Sequence, residues 1–225
     1  MSASGPYRRS DRPASPASGF TIIELLIATA IFALVLILLT TGVMQFTRQY
    51  YKGIIASKTQ ATARAIIDDV TRSIQFNGGD VYPLTLAGGG GGPVAGYCIG
   101  EAKRYSFAVN SQVVDTTPNP SQQQSRHALI SDDVTGCSSS SPALNARVIT
   151  NLSGSNPREL LGENMRLAQF SITGGGDIYT VIVKVVYGDS DLLLGAPPNV
   201  SCRPAAGSEF CTVSELSTTI NKRVN

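Results

Sequence analysis

A single carboxylate stands at the start of a long apolar run near the N-terminus. Glu24 follows Gly19-Phe20-Thr21-Ile22-Ile23, and the 23 residues between Glu24 and Arg48 carry no charge. An ionisable side chain at the edge of hydrocarbon is costly, so such a residue is a functional candidate and needs a partner of opposite charge. The apolar run itself contains no basic residue. The partner of Glu24 must therefore come from elsewhere.

The apolar run has the length of a membrane span. Residues 25–46 can cross a bilayer, because about 20 helical residues cover the roughly 30 Å hydrocarbon core. Arg8 and Arg9 precede the run, so the positive-inside rule keeps this end in the cytoplasm and exports the C-terminal part. A secretory signal peptide would end in a small-x-small cleavage site, which is missing before Arg48. The other alternative, an ordinary single-span anchor, has no use for an acid at its edge.

The residues from Gly19 to Glu24, followed by the uncharged run, resemble the class III signal of type IV prepilins and pseudopilins. That signal has a glycine, then phenylalanine or another apolar residue, and a glutamate fifth after the cleavage site. Ile22 stands where leucine is commoner. The resemblance implies that a prepilin peptidase cuts between Gly19 and Phe20 and that the new amino group of Phe20 is methylated. It also implies that Glu24 pairs with the amino terminus of a neighbouring subunit, which supplies the missing cation.

The same resemblance implies an α+β fold, the pilin-like lollipop, in which a long N-terminal helix packs on an antiparallel β-sheet. We expect a cytoplasmic leader at 1–19 that is removed, a membrane-spanning and filament-core helix at 20–47, an amphipathic second half at 48–76 and an exported β-rich domain at 77–225. The implied partners are other pilin subunits, the prepilin peptidase and an inner-membrane assembly platform, with no cofactor. The chain would be a cytoplasmic-membrane precursor and then part of a cell-surface filament or an envelope pseudopilus.

Four cysteines, Cys98, Cys137, Cys202 and Cys211, follow the apolar run, and no two of them form a CxxC pair. An even number of cysteines beyond a membrane segment favours disulfides in an oxidising compartment. Three pairings are possible, and we predict Cys98–Cys137 together with Cys202–Cys211. The alternative is buried free thiols in a cytoplasmic domain.

Few other residues have types and spacing suited to chemistry. His127 is the only histidine and lies in a Gln/Ser-rich loop, so we predict an exposed residue without a catalytic role. Asp189 and Asp191 are weak calcium candidates, because calcium takes six to eight oxygen ligands and two acids supply too few. Glycines 88–92 lack the lysine and the flanking strand and helix of a phosphate-binding loop, and we read them as a surface loop. Neither Gly-x-Ser-x-Gly nor His-Glu-x-x-His occurs, so we expect no enzymatic activity.

The charge of the chain is close to balanced. The net charge is +2, and the first 19 residues contain three arginines and one aspartate. Removing these from 18 basic and 16 acidic residues leaves 15 of each. Nucleic-acid binding normally needs a clustered basic surface. The sequence therefore gives no support for a nucleic-acid partner, and it does not identify a surface ligand.

Periodic patterns predict the elements that position these residues. Helical spacing continues after the span as an amphipathic stripe, formed by Ala63, Ile66, Ile67, Val70 and Ile74. One helix is expected from Phe20 to Phe76, with Asn77-Gly78-Gly79 as its stop. Alternating residues predict strands at 105–109, 168–173 and 179–187, with a hairpin turn at 174–177. We expect one antiparallel sheet against the helix, a short helix at 158–165, mostly loop at 110–127, and a strand or short helix at the C-terminus.

These features favour a non-enzymatic subunit of a type IV filament. A minor pilin comes first, because the exported part is larger and richer in loops than a small major pilin needs. A minor pseudopilin of a type II secretion system shares every N-terminal feature. A different class, a single-pass anchored enzyme or binding domain, would keep the residues before Phe20.

Overall fold

The structure is a computed structural model of the chain. It describes residues 19–77, 79–86, 94–114, 126–147 and 156–223. The expected leader before Gly19, the loop at 88–92 and most of the loop at 110–127 lie outside the described residues. The chain divides into two compact units, Met1–Phe46 and Thr47–Asn225.

A single long helix, α1, runs from Ile22 to Phe76 over 55 residues. Its first part, residues 22–46, belongs to the first unit, and every residue there is exposed. In the second unit one stripe of the helix is buried, at Ile55, Thr59, Ala63, Ile66, Val70 and Ile74. The spacing of three or four residues is that of one helical face. The predicted amphipathic stripe is therefore confirmed, with Ile67 half-buried beside it.

The first sheet is antiparallel, and its strands lie in chain order. Its strands are β1 (Val81–Leu84), β2 (Gly96–Ile99), β3 (Lys103–Phe107), β4 (Leu129–Asp133) and β5 (Arg158–Glu159). The alternation that predicted a strand at 105–109 corresponds to β3, which begins two residues earlier and ends at Phe107.

The second sheet has three strands, with β7 in the centre. These are β6 (Met165–Gly175), β7 (Ile178–Tyr187) and β10 (Thr212–Asn221), and the short pair β8 (Leu193–Leu194) and β9 (Ser201–Cys202) stands apart. The predicted hairpin is confirmed, since β6 and β7 pair antiparallel around Gly176 and Asp177. A glycine is needed at position 174, because its φ is +126° and a Cβ would lie 3.0 Å from Tyr179 Cα.

The expected α+β class, a long N-terminal helix with antiparallel β-structure, is confirmed. Two details of the β-rich part are wrong. Two main sheets replace the single one, and no helix forms at 158–165, where β5 and a turn precede β6. The run Arg-Glu-Leu-Leu has good helix propensity, which is a weak term that tertiary pairing overrides. Here β5 pairs with β4, and Asn164 takes a left-handed φ of 62° that ends any helical path. The C-terminal segment, left open as strand or helix, is the edge strand β10.

The main core lies between the buried stripe of α1 and both large sheets. Three aromatic rings form its centre, with Phe170 edge-on to Tyr97 at 5.7 Å and to Phe107 at 5.5 Å between centroids. A partly buried polar link also joins α1 to β3, since the Tyr105 hydroxyl donates to Asp69 Oδ2 over 2.8 Å. Burial raises the pKa of Tyr105, because the ionised form would lose its hydration.

Each disulfide joins a cysteine within a strand to a cysteine outside the strands. Cys98 in β2 is bonded to Cys137 beyond β4, and Cys202 at the end of β9 is bonded to Cys211 just before β10. The Cα atoms are 5.8 Å apart in each pair. These are the two pairings that the sequence led us to expect. The first lies in a small core of its own beside Leu84.

Candidate functional site

The segment around Glu24 begins with a helix cap. Thr21 precedes the helix, and its hydroxyl accepts a hydrogen bond from the Glu24 N–H at 3.3 Å. Its carbonyl accepts from the N–H of Leu25 at 3.2 Å. The pattern Thr-x-x-Glu is that of a capping box, in which the threonine satisfies an N–H that the helix leaves free. The sequence expectation of a helix from Phe20 missed this cap, although the spacing itself was visible.

The cap leaves two residues outside the helix. Gly19 and Phe20 are not helical and both are exposed, Phe20 by 86%. A Cβ on Gly19 would meet nothing within 4 Å. The peptide bond between them is therefore accessible to another protein, whereas the peptide groups within α1 are hydrogen-bonded in the helix. The N-terminus of a helix also favours a negative charge in its first turn, where Glu24 stands.

The helix that follows is apolar and uncovered. It contains an 18-residue window of mean hydropathy 3.0, none of which is buried. In the part of the chain that the structure describes, α1 is the one helix long and apolar enough to cross a membrane. Soluble monomers rarely expose large contiguous apolar patches. This surface therefore requires lipid or other proteins around it.

The hydroxyls of the apolar segment are satisfied within the helix. Thr29 donates to the Leu26 carbonyl at 3.0 Å, and Thr40 donates to the Leu36 carbonyl at 2.9 Å. Internal hydrogen bonds of this kind let threonines sit in hydrocarbon at little cost. Glu24 is the only charged residue from Gly19 to Thr47. The segment therefore contains no residue of opposite charge with which Glu24 could pair.

The family description "Prokaryotic N-terminal methylation motif" matches residues 15–40. This match includes the capped segment, Glu24 and most of the apolar run. The protein is type IV pilin-like. No curated protein and no solved structure matched the chain. The family match therefore concerns the N-terminal segment, and the rest of the chain is described from its own structure.

For a pilin-like protein the motif implies prepilin peptidase processing, N-terminal methylation and assembly with other pilins in general terms. The motif and the exposed apolar helix together fit a membrane-anchored precursor that is later assembled into a filament. The motif suggests a structural, non-enzymatic protein.

Asp189 and Asp191, the weak calcium candidates, lie in an exposed turn. Asp189 Oδ1 accepts a hydrogen bond from Gln112 Nε2 at 3.0 Å. The guanidinium of Arg166 donates to Gln112 Oε1 at 3.1 Å and to Asn110 Oδ1 at 3.3 Å. Burial lowers the pKa of Arg166, and the nearby charge of Asp189 opposes that shift. Among the described residues no group of three or more His, Cys, Asp or Glu is placed to hold a metal ion.

The prediction that His127 is exposed is wrong, since its ring is fully buried. Its Nδ1 lies 3.5 Å from Oε2 of Glu159, which is itself buried. Glu159 accepts three backbone hydrogen bonds, from the N–H groups of Ala128 (2.9 Å), Leu129 (3.1 Å) and Leu161 (3.0 Å). The apolar residues directly after His127 were a signal of a buried strand that the loop-like residues before it concealed.

Proposed function

We propose that the protein is a structural subunit of a type IV filament, a minor pilin, which matures by cleavage between Gly19 and Phe20. One observation carries the proposal. A solvent-exposed, non-helical Gly-Phe bond directly precedes a capped, uncharged helix with one acid in its first turn. A peptidase at the membrane surface needs an accessible scissile bond, and the cap at Thr21 keeps this bond outside the helix.

Cleavage would create the partner that Glu24 lacks. The new α-amino group of Phe20 is a cation at the membrane edge, and in a filament it would belong to a neighbouring subunit. A carboxylate in apolar surroundings is stable only when it is paired. The exposed apolar residues of α1 would then pack against the same residues of neighbouring subunits. These helices would provide most of the apolar contact area, and the charge pair would set the register between subunits.

The proposed organisation is a leader at 1–19 that is removed, a membrane-spanning and core helix at 20–47, the second helical half at 48–76 and an exported domain at 77–225. The size of that domain, with two large sheets and two disulfides, supports a minor rather than a small major pilin. A minor pseudopilin of a type II secretion system is the second candidate, because it requires the same N-terminal segment.

The first experiment is to shear the surface of native cells and to analyse the released fraction by mass spectrometry. A peptide that begins at Phe20, with or without an added methyl group, establishes processing and surface assembly together. If that peptide is found in the membrane fraction alone, the pseudopilin takes precedence. If leader residues remain attached to Phe20 everywhere, the motif is not used, and an anchored binding domain or enzyme replaces the pilin.

Two variants separate processing from assembly. Gly19→Ala should retain the leader, whereas Gly42→Ala, a matched control whose Cβ also meets nothing within 4 Å, should be cleaved normally. Glu24→Gln keeps the shape of the side chain without its charge, and we expect normal membrane insertion with impaired incorporation into filaments. Wild-type incorporation of Glu24→Gln would contradict the charge pairing.

A further inference from the structure

Three aromatic rings form an exposed surface on the second unit. Tyr50, Tyr51 and Phe210 are 59%, 49% and 47% exposed. The rings of Tyr50 and Tyr51 lie 6.3 Å apart between centroids, and those of Tyr51 and Phe210 lie 6.1 Å apart. We call this set the aromatic surface. Two of its members belong to the helix, and the third belongs to the C-terminal disulfide loop, residues 202–211.

Phe210 is held in place from several directions. It ends a short 3₁₀ turn, Ser208–Phe210, and the disulfide at Cys211 follows it directly. Gly188 approaches its carbonyl so closely that a Cβ there would lie 3.0 Å from the oxygen. In addition Glu209 Oε1 lies 3.6 Å from Arg48 Nε, which joins the loop to the helix by charge. These contacts fix the position of the exposed Phe210 ring.

The number of residues along α1 gives the distance of Tyr51 from the end of the apolar run. The apolar run ends at Phe46, and Tyr51 follows after five residues, or about 7.5 Å of helix. The headgroup layer on each side of the hydrocarbon core is roughly 5–8 Å thick. Tyrosine and tryptophan are enriched in that layer, because their rings are apolar and their edges are polar. Counted along the helix, Tyr51 falls at this distance from the apolar run, and the ring of Phe210 packs against Tyr51.

The charges around the aromatic surface also suit a lipid surface. The helical segment 48–58 contains three basic residues and no acid, and the loop 202–211 contains Arg203 and Glu209. The one acid of the two segments, Glu209, is paired with Arg48. Basic residues next to a membrane span are attracted by anionic headgroups.

We propose that the aromatic surface binds the headgroup layer of the bilayer in the membrane-anchored precursor, and that the disulfide loop exists in part to hold Phe210 there. The exported domain is then attached to the membrane at two points, by the span and by the loop. This goes beyond the filament role, because it concerns the protein before assembly. The competing occupant of the surface is a second copy of the chain.

The chain contains no tryptophan, so a single introduced tryptophan reports on one position. Phe210→Trp places the probe on the aromatic surface. Phe32→Trp places it inside the span, and Phe76→Trp places it at an exposed site 25 residues, about 38 Å of helix, beyond Tyr51. Each full-length variant is reconstituted into vesicles of phosphatidylethanolamine and phosphatidylglycerol that contain lipid spin-labelled at the headgroup or at the chain end. Intact Cys202–Cys211, measured by mass spectrometry, verifies the loop in each sample.

We expect tryptophan at position 210 to show a blue-shifted emission and to lose fluorescence mainly with the headgroup label. Tryptophan at 76 should emit at long wavelength and lose little fluorescence with either label. If position 210 behaves like position 76 while position 32 is quenched by the chain-end label, the proposal is wrong and the membrane anchor stands. A blue shift at 210 without lipid quenching means that protein covers the surface, which also overturns the proposal. Lack of quenching at position 32 would refute the membrane span itself.

Discussion

The carboxylate of Glu159 offers a quantitative test of how the β-rich domain is held together. Its two oxygens accept three backbone hydrogen bonds at the junction of β4 and β5. Oε1 serves Leu129 and Leu161, and Oε2 serves Ala128 and lies beside His127. Glu159→Gln keeps the size of the side chain but offers one acceptor and one donor in place of two acceptors.

The expected loss of stability depends on which of its two orientations the glutamine amide adopts, and the more favourable one decides it. The glutamine oxygen should take the place of Oε1, which keeps two bonds and turns the amide N–H₂ towards the N–H of Ala128. One hydrogen bond to a charged acceptor, about 1.5–3 kcal/mol, is then lost, and the other two weaken because the acceptor is neutral. The substitution also removes the cost of burying a charge, which offsets part of the loss. We expect a decrease of about 2–3 kcal/mol in the free energy of unfolding.

The assay is thermal unfolding of the full chain in detergent, followed by the near-ultraviolet circular dichroism of its buried tyrosines. For a domain of 150–250 residues the expected loss lowers Tm by roughly 4–12 °C. Glu163→Gln is the matched control, because Glu163 is an exposed glutamate four residues away, and its effect should stay within about 0.5 kcal/mol. Equal Tm values for the two variants would refute the assignment of Glu159 as a buried, charged acceptor.

Three further predictions concern the same domain. Because the pKa of Tyr105 is raised in the folded protein, the unfolded chain loses the Tyr105 proton at lower pH, and the free energy of unfolding should fall as pH rises above about 10. Tyr105→Phe should make this fall smaller, which unfolding measurements between about pH 9 and 11 would show. Gly174→Ala should destabilise by about 1–3 kcal/mol in denaturant titrations, and Gly175→Ala, where a Cβ meets nothing, should be close to neutral. Replacing both cysteines of Cys98–Cys137, which are 39 residues apart, by serine should lower the free energy of unfolding by about 4 kcal/mol. The same replacement at Cys202–Cys211, which are nine residues apart, should lower it by about 3 kcal/mol, and denaturant titrations measure both losses.

The parts of the fold that sequence predicts are those in which one periodic pattern dominates. The buried stripe of α1 and the alternation in β6 and β7 are long, and each is uninterrupted by a competing signal. The motif around Glu24 is equally local, since it depends on the types and spacing of six adjacent residues. These features needed no knowledge of distant contacts.

The errors arise where a distant partner decides the local structure. Residues 158–165 have helix propensity, yet Glu159 is bound to backbone groups about 30 residues earlier in the chain, which holds this segment beside β4. His127 follows a polar loop, and its burial depends on the same contact. Sequence position alone indicates two members of the aromatic surface, because Tyr50 and Tyr51 closely follow the apolar run. Phe210 joins them only through tertiary folding.

The buried stripe of α1 has a mechanical consequence. From Ile55 to Ile74 it extends over 19 residues, about 28 Å along the helix axis, and four of its members belong to the core shared with the sheets: Ala63, Ile66, Val70 and Ile74. A tension applied along the helix from its apolar end therefore loads these contacts in shear. In that geometry the four core residues of the stripe are loaded together, whereas a pull across the helix would separate them one at a time. In the filament proposed above, traction along the helix would load the domain in this shear geometry.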